Sequence, residues 1–249
     1  MQQHIKNLRN NFPIGEQENW AKCQLLFPHA KSAAAQQPEG EESLVDWASL
    51  LYRAAWYAWR KGNLADAEKI AMKSMNVRKS VLGQRNEQTV NSMALLGLVY
   101  KLAGQWDKAE ELLVQVIETR KKLFGAEHPD TLTRMGDLAS IYSHQGRWGK
   151  AKELQVQVLE IHMKVLGPEH PDTLTSIANL ASTYSNKGRW DEAEELEMQV
   201  LETLKRVLGP EHPSTLTNIA NLASAYRNKG RWDEAEELVM QVLETRKRP

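Results

Sequence analysis

The residues best suited to chemistry recur. Glu127-His128, Glu169-His170 and Glu211-His212 set a carboxylate beside an imidazole three times, 42 residues apart, inside the near-copies GAEHPDTLT (Gly125 to Thr133), GPEHPDTLT (Gly167 to Thr175) and GPEHPSTLT (Gly209 to Thr217). Imidazole and carboxylate can ligate zinc or exchange protons. A zinc ion, however, needs its donors within ~2 Å of one point, whereas successive copies stand about a helix diameter apart. No metal and no cofactor is therefore expected, and the three His residues are expected to serve helix starts and linkers. Cys23 is the single cysteine; it has Trp20 and Leu26 as neighbours and no identifiable His and acid partner, so it reads as a buried thiol. Acids such as Asp191, Glu192, Glu194 and Glu195 gather at helix starts rather than in a convergent pair, and no enzyme is expected.

A catalytic loop acts at one place, so even spacing points to a repeated structural unit. The same 42-residue interval separates Trp106, Trp148, Trp190 and Trp232, then Tyr100, Tyr142, Tyr184 and Tyr226, then Gly104, Gly146, Gly188 and Gly230. Gly167 to Val207 and Gly209 to Pro249 differ only at the seven positions beginning at Asp172, Ser176, Thr183, Ser185, Glu197, Leu204 and Val207, as in a recent duplication. Within His170 to Leu208, Leu174, Ile177, Ala181 and Tyr184 trace one amphipathic helix, here helix A. After the turn Asn186-Lys187-Gly188-Arg189, Trp190, Ala193, Leu196, Val200, Leu201 and Leu204 trace helix B. Acids at the start of helix B and Lys205 and Arg206 at its end complement the helix dipole. Gly167 is expected to end a helix in left-handed geometry and Pro171 to open the next. Ala178, Ala181 and Ala193 let the two helices approach, with Trp190 and Tyr184 expected to fill the remaining gaps. One such pair cannot bury both apolar faces, so the units must stack.

Bulk composition narrows the partners. The 249 residues hold 32 basic and 32 acidic side chains, a balance without the positive field that nucleic acid or an anionic membrane selects, and neither is expected as a partner. MQQHIKNLRNNFP lacks the apolar core of a secretory signal, and the most hydrophobic stretch, Leu44 to Trp59, is interrupted by Asp46 and Arg53. With one cysteine, a cytoplasmic setting is expected.

Small residues in helix A, then Gly188-Arg189-Trp190-Asp191-Glu192-Ala193 across the turn, resemble a tetratricopeptide repeat. The 42-residue length, the linker Leu-Gly-Pro-Glu-His-Pro and the phrase Asn179-Leu180-Ala181 are similar to the kinesin light chain subtype. The likeness runs from Asn86 to Pro249, with a weaker copy at Gly62-Asn63-Leu64-Ala65-Asp66-Ala67. It implies an all-α, right-handed α-solenoid. Five repeats are expected, at about 41–82, 83–124, 125–166, 167–208 and 209–249, behind a degenerate repeat or cap over 1–40. In that cap Glu16 to Ala35 reads as a helix with Trp20, Leu25 and Leu26. WAKCQLLFPHAKSA with SLVDWASLLYRAAWYAWRKGNLADAE also resembles the start of repeat arrays in fungal receptors that carry a nucleotide-binding oligomerisation domain, implying a ligand-sensing arm. The chain itself contains no G-x-x-x-x-G-K-[ST] phosphate loop.

With one face of helix A packed, Thr175, Asn179, Ser182 and Asn186 share another, repeated by Thr217, Asn221, Ser224 and Asn228 and varied at Thr133, Asp137, Ser140 and His144. In tetratricopeptide arrays that face lines the groove, and the resemblance implies a protein or peptide ligand there. An Asn amide both donates and accepts, so Asn179 and Asn221 are expected either to hold peptide backbone or to bond neighbouring helices. Leu95 and Asp137 depart from the pattern. In the first repeat the face carries Tyr52, Arg53, Trp56 and Trp59, either a binding hot spot or packing. After Leu238, Val239, Val242 and Leu243 no polar capping helix follows, so an apolar flank is expected to take another copy of the chain, a partner or further repeats.

Overall fold

The computed structural model describes residues 2–14 and 17–247; these form helices, and no strand occurs among them. In chain order the helices are α1 (Gln2–Asn11), α2 (Trp20–Ala34), α3 (Glu41–Arg60), α4 (Leu64–Leu82), α5 (Glu87–Leu102), α6 (Trp106–Phe124), α7 (Pro129–His144), α8 (Trp148–Val165), α9 (Pro171–Asn186), α10 (Trp190–Val207), α11 (Pro213–Asn228) and α12 (Trp232–Lys247). They fall into two compact units, one running to Ile141 and one starting at Tyr142.

The repeated phrase is a helix start. The Nδ1 atom of His170 accepts from the Asp172 backbone N–H at 3.1 Å, His212 accepts from Ser214 at 3.2 Å and His128 from Asp130 at 3.2 Å. Each imidazole thus satisfies an amide that the first helical turn leaves without a carbonyl. The prolines that follow the His residues occupy the first helical position, where no N–H is needed. The glycine that opens the phrase has the expected positive φ, 86° at Gly167 and 98° at Gly125, a region that favours glycine; at Gly125 ψ is 165°, extended rather than helical. A hydrogen-bonded glycine cap falls at the other turn. There the Gly188 N–H donates to the Ser185 carbonyl and the Arg189 N–H to Tyr184, with φ 76° at the glycine.

In the second unit one B helix serves two A helices. Val200 and Leu204 of α10 join Leu174 and Ile177 of α9, while Leu201 joins Leu216, Ile219 and Leu222 of α11. Burying each such side chain contributes about 1.5–3 kcal/mol. Ala181 of α9 and Ala193 of α10 are buried. Trp190 does not fill gaps between helices: it opens α10 at the rim of the packed face and remains 40% exposed, as Trp232 remains 62% exposed. Tyr184 is half buried beneath the Arg189 guanidinium at 4.6 Å, and Tyr226 beneath Arg231 at 4.0 Å. These pairs link the capping turn to the helix it ends.

The first unit opens with a helix that the sequence pattern hides, since α1 is polar except for a short stripe. Ile5, Leu8 and Phe12 are nevertheless buried, and both α1 and α2 pack on α3. The indole N–H of Trp47 donates to the Ala33 carbonyl at 2.8 Å, and Phe12 and Phe27 set their edges against Tyr57. Glu16 lies outside the described residues; from Trp20 onward the expected helix forms, behind a short 3-10 turn. Its buried face is Cys23, Ala30 and Ala34, whereas Leu25 points outward. No helix among the described residues is long and apolar enough to cross a membrane.

Candidate functional site

Helices α9 and α11 stand on either side of α10 and leave a groove of about 410 Å³. Its floor is Val200 and Leu204, and its walls carry Thr175 and Asn179 from α9 and Thr217 and Asn221 from α11. All four of these wall residues are exposed. The two Thr hydroxyls bond back within their own helices, to the Pro171 and Pro213 carbonyls at 2.9 Å, which turns them from donors to the groove into acceptors. Asn179 and Asn221 differ: neither amide side chain has a hydrogen bond among the described residues. The two amides therefore present both donor and acceptor to the groove, one repeat apart. Glu169 is the one charged residue of the lining, and it is paired with Arg206 at 2.7 Å.

Ser182, Asn186, Ser224 and Asn228 are exposed as the periodicity predicts, but they lie beyond this cavity; the Asn228 amide donates to Ser185 Oγ at 3.4 Å. In the first unit the same helix-A positions are engaged internally. Asp137 accepts from Lys101 at 3.0 Å and Arg134 at 2.8 Å. Arg53 donates to the Arg9 and Phe12 carbonyls at 2.9 and 2.8 Å, closing the end of α1. Trp56 and Trp59 pack with ring centroids 5.1 Å apart, and both indole nitrogens are buried without a partner among the described residues.

Beneath the Asn221 wall lies a pair that periodicity does not reveal. Asn218 of α11 also lines the groove, and its Nδ2 donates to Glu197 Oε2 of α10. Burial pushes the Glu197 carboxyl up to about 7, against the opposing pull of the Asn218 amide. The available signal was the comparison of repeats, because both residues are among the few positions where the last two copies differ.

Comparison with known proteins agrees with the repeated helix pairs. The tetratricopeptide repeat family model matches residues 47–122, 99–162, 135–206 and 178–248. A Q17M crystal structure of nearly identical TPR-like repeats from Podosopora anserina, described as of a kinesin light chain, is similar with 33% identity and a TM-score of 0.71, covering 78% of this chain and 92% of that one. BtubC from P. vanneervenii gives a TM-score of 0.69 over 92% of this chain and 90% of its own, with 17% identity, a likeness of fold alone. A nucleotide-binding leucine-rich repeat (NLR)-like protein of Hyaloscypha variabilis is 38% identical over 89 residues, which are 36% of this chain and 9% of that relative. With matched repeats running from residue 47 to 248, the chain belongs to the tetratricopeptide repeat family, with repeats like those of kinesin light chains and the all-α solenoid fold class.

Proposed function

We propose that this chain is a protein-interaction scaffold that holds an extended peptide segment of a partner in the groove between α9 and α11, without turnover. The reading is carried by Asn179 and Asn221, exposed and free of internal hydrogen bonds on facing walls of one cavity. Amides so placed suit the backbone of a strand-like peptide, and the apolar floor of Val200 and Leu204 suits its alternate side chains. Tetratricopeptide families are in general scaffolds rather than enzymes, and this lining has no convergent acid–base pair. The five-repeat division behind an N-terminal cap, and a cytoplasmic setting, belong to the same reading.

Peptides selected by display against the purified chain provide the test. Replacing Asn179→Ala together with Asn221→Ala is expected to weaken the selected peptides about tenfold or more, at about 1 kcal/mol per hydrogen bond removed. Equal affinity for both forms would remove the groove from the account.

A second reading rests on the stretch shared with the Hyaloscypha variabilis NLR-like protein: the array is the ligand-sensing arm of a nucleotide-binding receptor. Finding a phosphate-binding loop encoded in the same open reading frame would favour it.

A further inference from the structure

We propose that Glu197 is a positioning residue of the groove, acting through Asn218 in its neutral acid form, so that peptide affinity falls as the carboxyl ionises. This rests on the groove reading above. Glu197 is only 4% exposed, and among the described residues Asn218 Nδ2 is its one hydrogen-bond partner. The other side of that amide, Asn218 Oδ1, is buried with no partner. A carboxylate has only acceptors, so ionised Glu197 can offer Oδ1 no proton; protonated Glu197 carries an O–H that can donate to Oδ1 and close a two-bond acid–amide pair. Asn218 lies one helical turn before Asn221 and four residues after Ser214, all three on the groove lining, so its orientation sets that wall.

The surroundings leave this carboxyl to its own burial. On α11 the titratable groups are Tyr226 and Arg227, more than two turns from Asn218. On α9 they are Asp172, exposed at the N-terminal end, and Tyr184, stacked under Arg189. One turn away on α10, Glu194 is held by Lys229 and Arg231. None of these bonds Glu197. Burial raises its carboxyl to about 7, within the range where cells differ in pH. The repeat supplies internal comparisons. Gln155, at the equivalent place one unit earlier, donates to the Asn179 carbonyl at 3.2 Å, so a neutral amide there also reaches the following A helix. Val239, one unit later, has no polar function at all.

Two measurements on the intact chain test the inference, using Glu197→Gln, which keeps a donor at every pH. The first needs no ligand: in carbon-13 NMR of glutamate carboxyls, the signal absent from Glu197→Gln is expected to titrate with a midpoint near 7. A midpoint in the ordinary range near 4.5 would overturn the proposal. The second compares affinity for a display-selected peptide at about pH 6 and pH 8. The natural chain is expected to lose up to about tenfold as the neutral fraction falls, and Glu197→Gln to stay flat. Should the natural chain also stay flat while its carboxyl titrates near 7, the positioning role is wrong. Failure of the groove itself would read differently, as undiminished binding by Asn179→Ala with Asn221→Ala.

Discussion

Trp56 and Asn179 occupy related places on helix A, yet their surroundings give them opposite roles. The Trp56 ring packs on Trp59 with its nitrogen buried, so Trp56→Ala is expected to destabilise the chain by about 3 kcal/mol in urea unfolding while leaving peptide affinity unchanged. At Asn179 the same truncation is expected to shift stability by less than about 0.5 kcal/mol. Glu197 has a sign that pH reveals. Its carboxyl is pushed up to about 7 in the folded state from the ordinary 4.5, so between those values the folded chain holds a proton the unfolded chain has released. Stability is therefore fully present below about 4.5 and drains as pH rises toward about 7, at no more than roughly 1.4 kcal/mol per pH unit. Thermal melts across that range are expected to slope for the natural chain and to flatten for Glu197→Gln. Periodicity found Asn179 and Asn221, because exposure on a helix face follows from spacing. It could not find Glu197 or Asn218, whose partnership depends on which residue the next helix places opposite.

For the elements, the sequence was most legible where punctuation repeats. The Pro after each His and the Gly-x-Trp turns place helix ends close to where they occur, since backbone geometry there admits few residue types. The capping use of His128, His170 and His212 was legible only as a helix start, because an imidazole acceptor is not in the usual capping repertoire of Ser, Thr, Asp and Asn. His170→Ala is expected to cost about 1 kcal/mol, read as a shift in the denaturation midpoint, with His170→Asn restoring it. Helix α1 escaped notice for the reverse reason: its few apolar residues acquire meaning only once α3 is beside them.

Over the whole molecule, stability is expected to be distributed by position in the repeat order rather than by residue type. Leu201 and Leu243 are equivalent, yet Leu201 is 7% exposed against the side chains of α11 and Leu243 is 46% exposed on α12. Leu201→Ala is expected to cost about 2–5 kcal/mol and Leu243→Ala less than about 0.5 kcal/mol, by chemical denaturation of the two variants. The open face of α12, with Val239 and Leu243, has the character of a surface that accepts an A helix one unit earlier.

Near-identical units invite unequal exchange between gene segments, and the Glu197–Asn218 pair limits which exchanges are harmless. Lengthening the array by copying residues 167–208 in tandem would set a Ser like Ser176, not an Asn, over the first copy's Glu197. That carboxyl would be entombed without its amide, so such an expansion should survive only when accompanied by a change at one of the two positions.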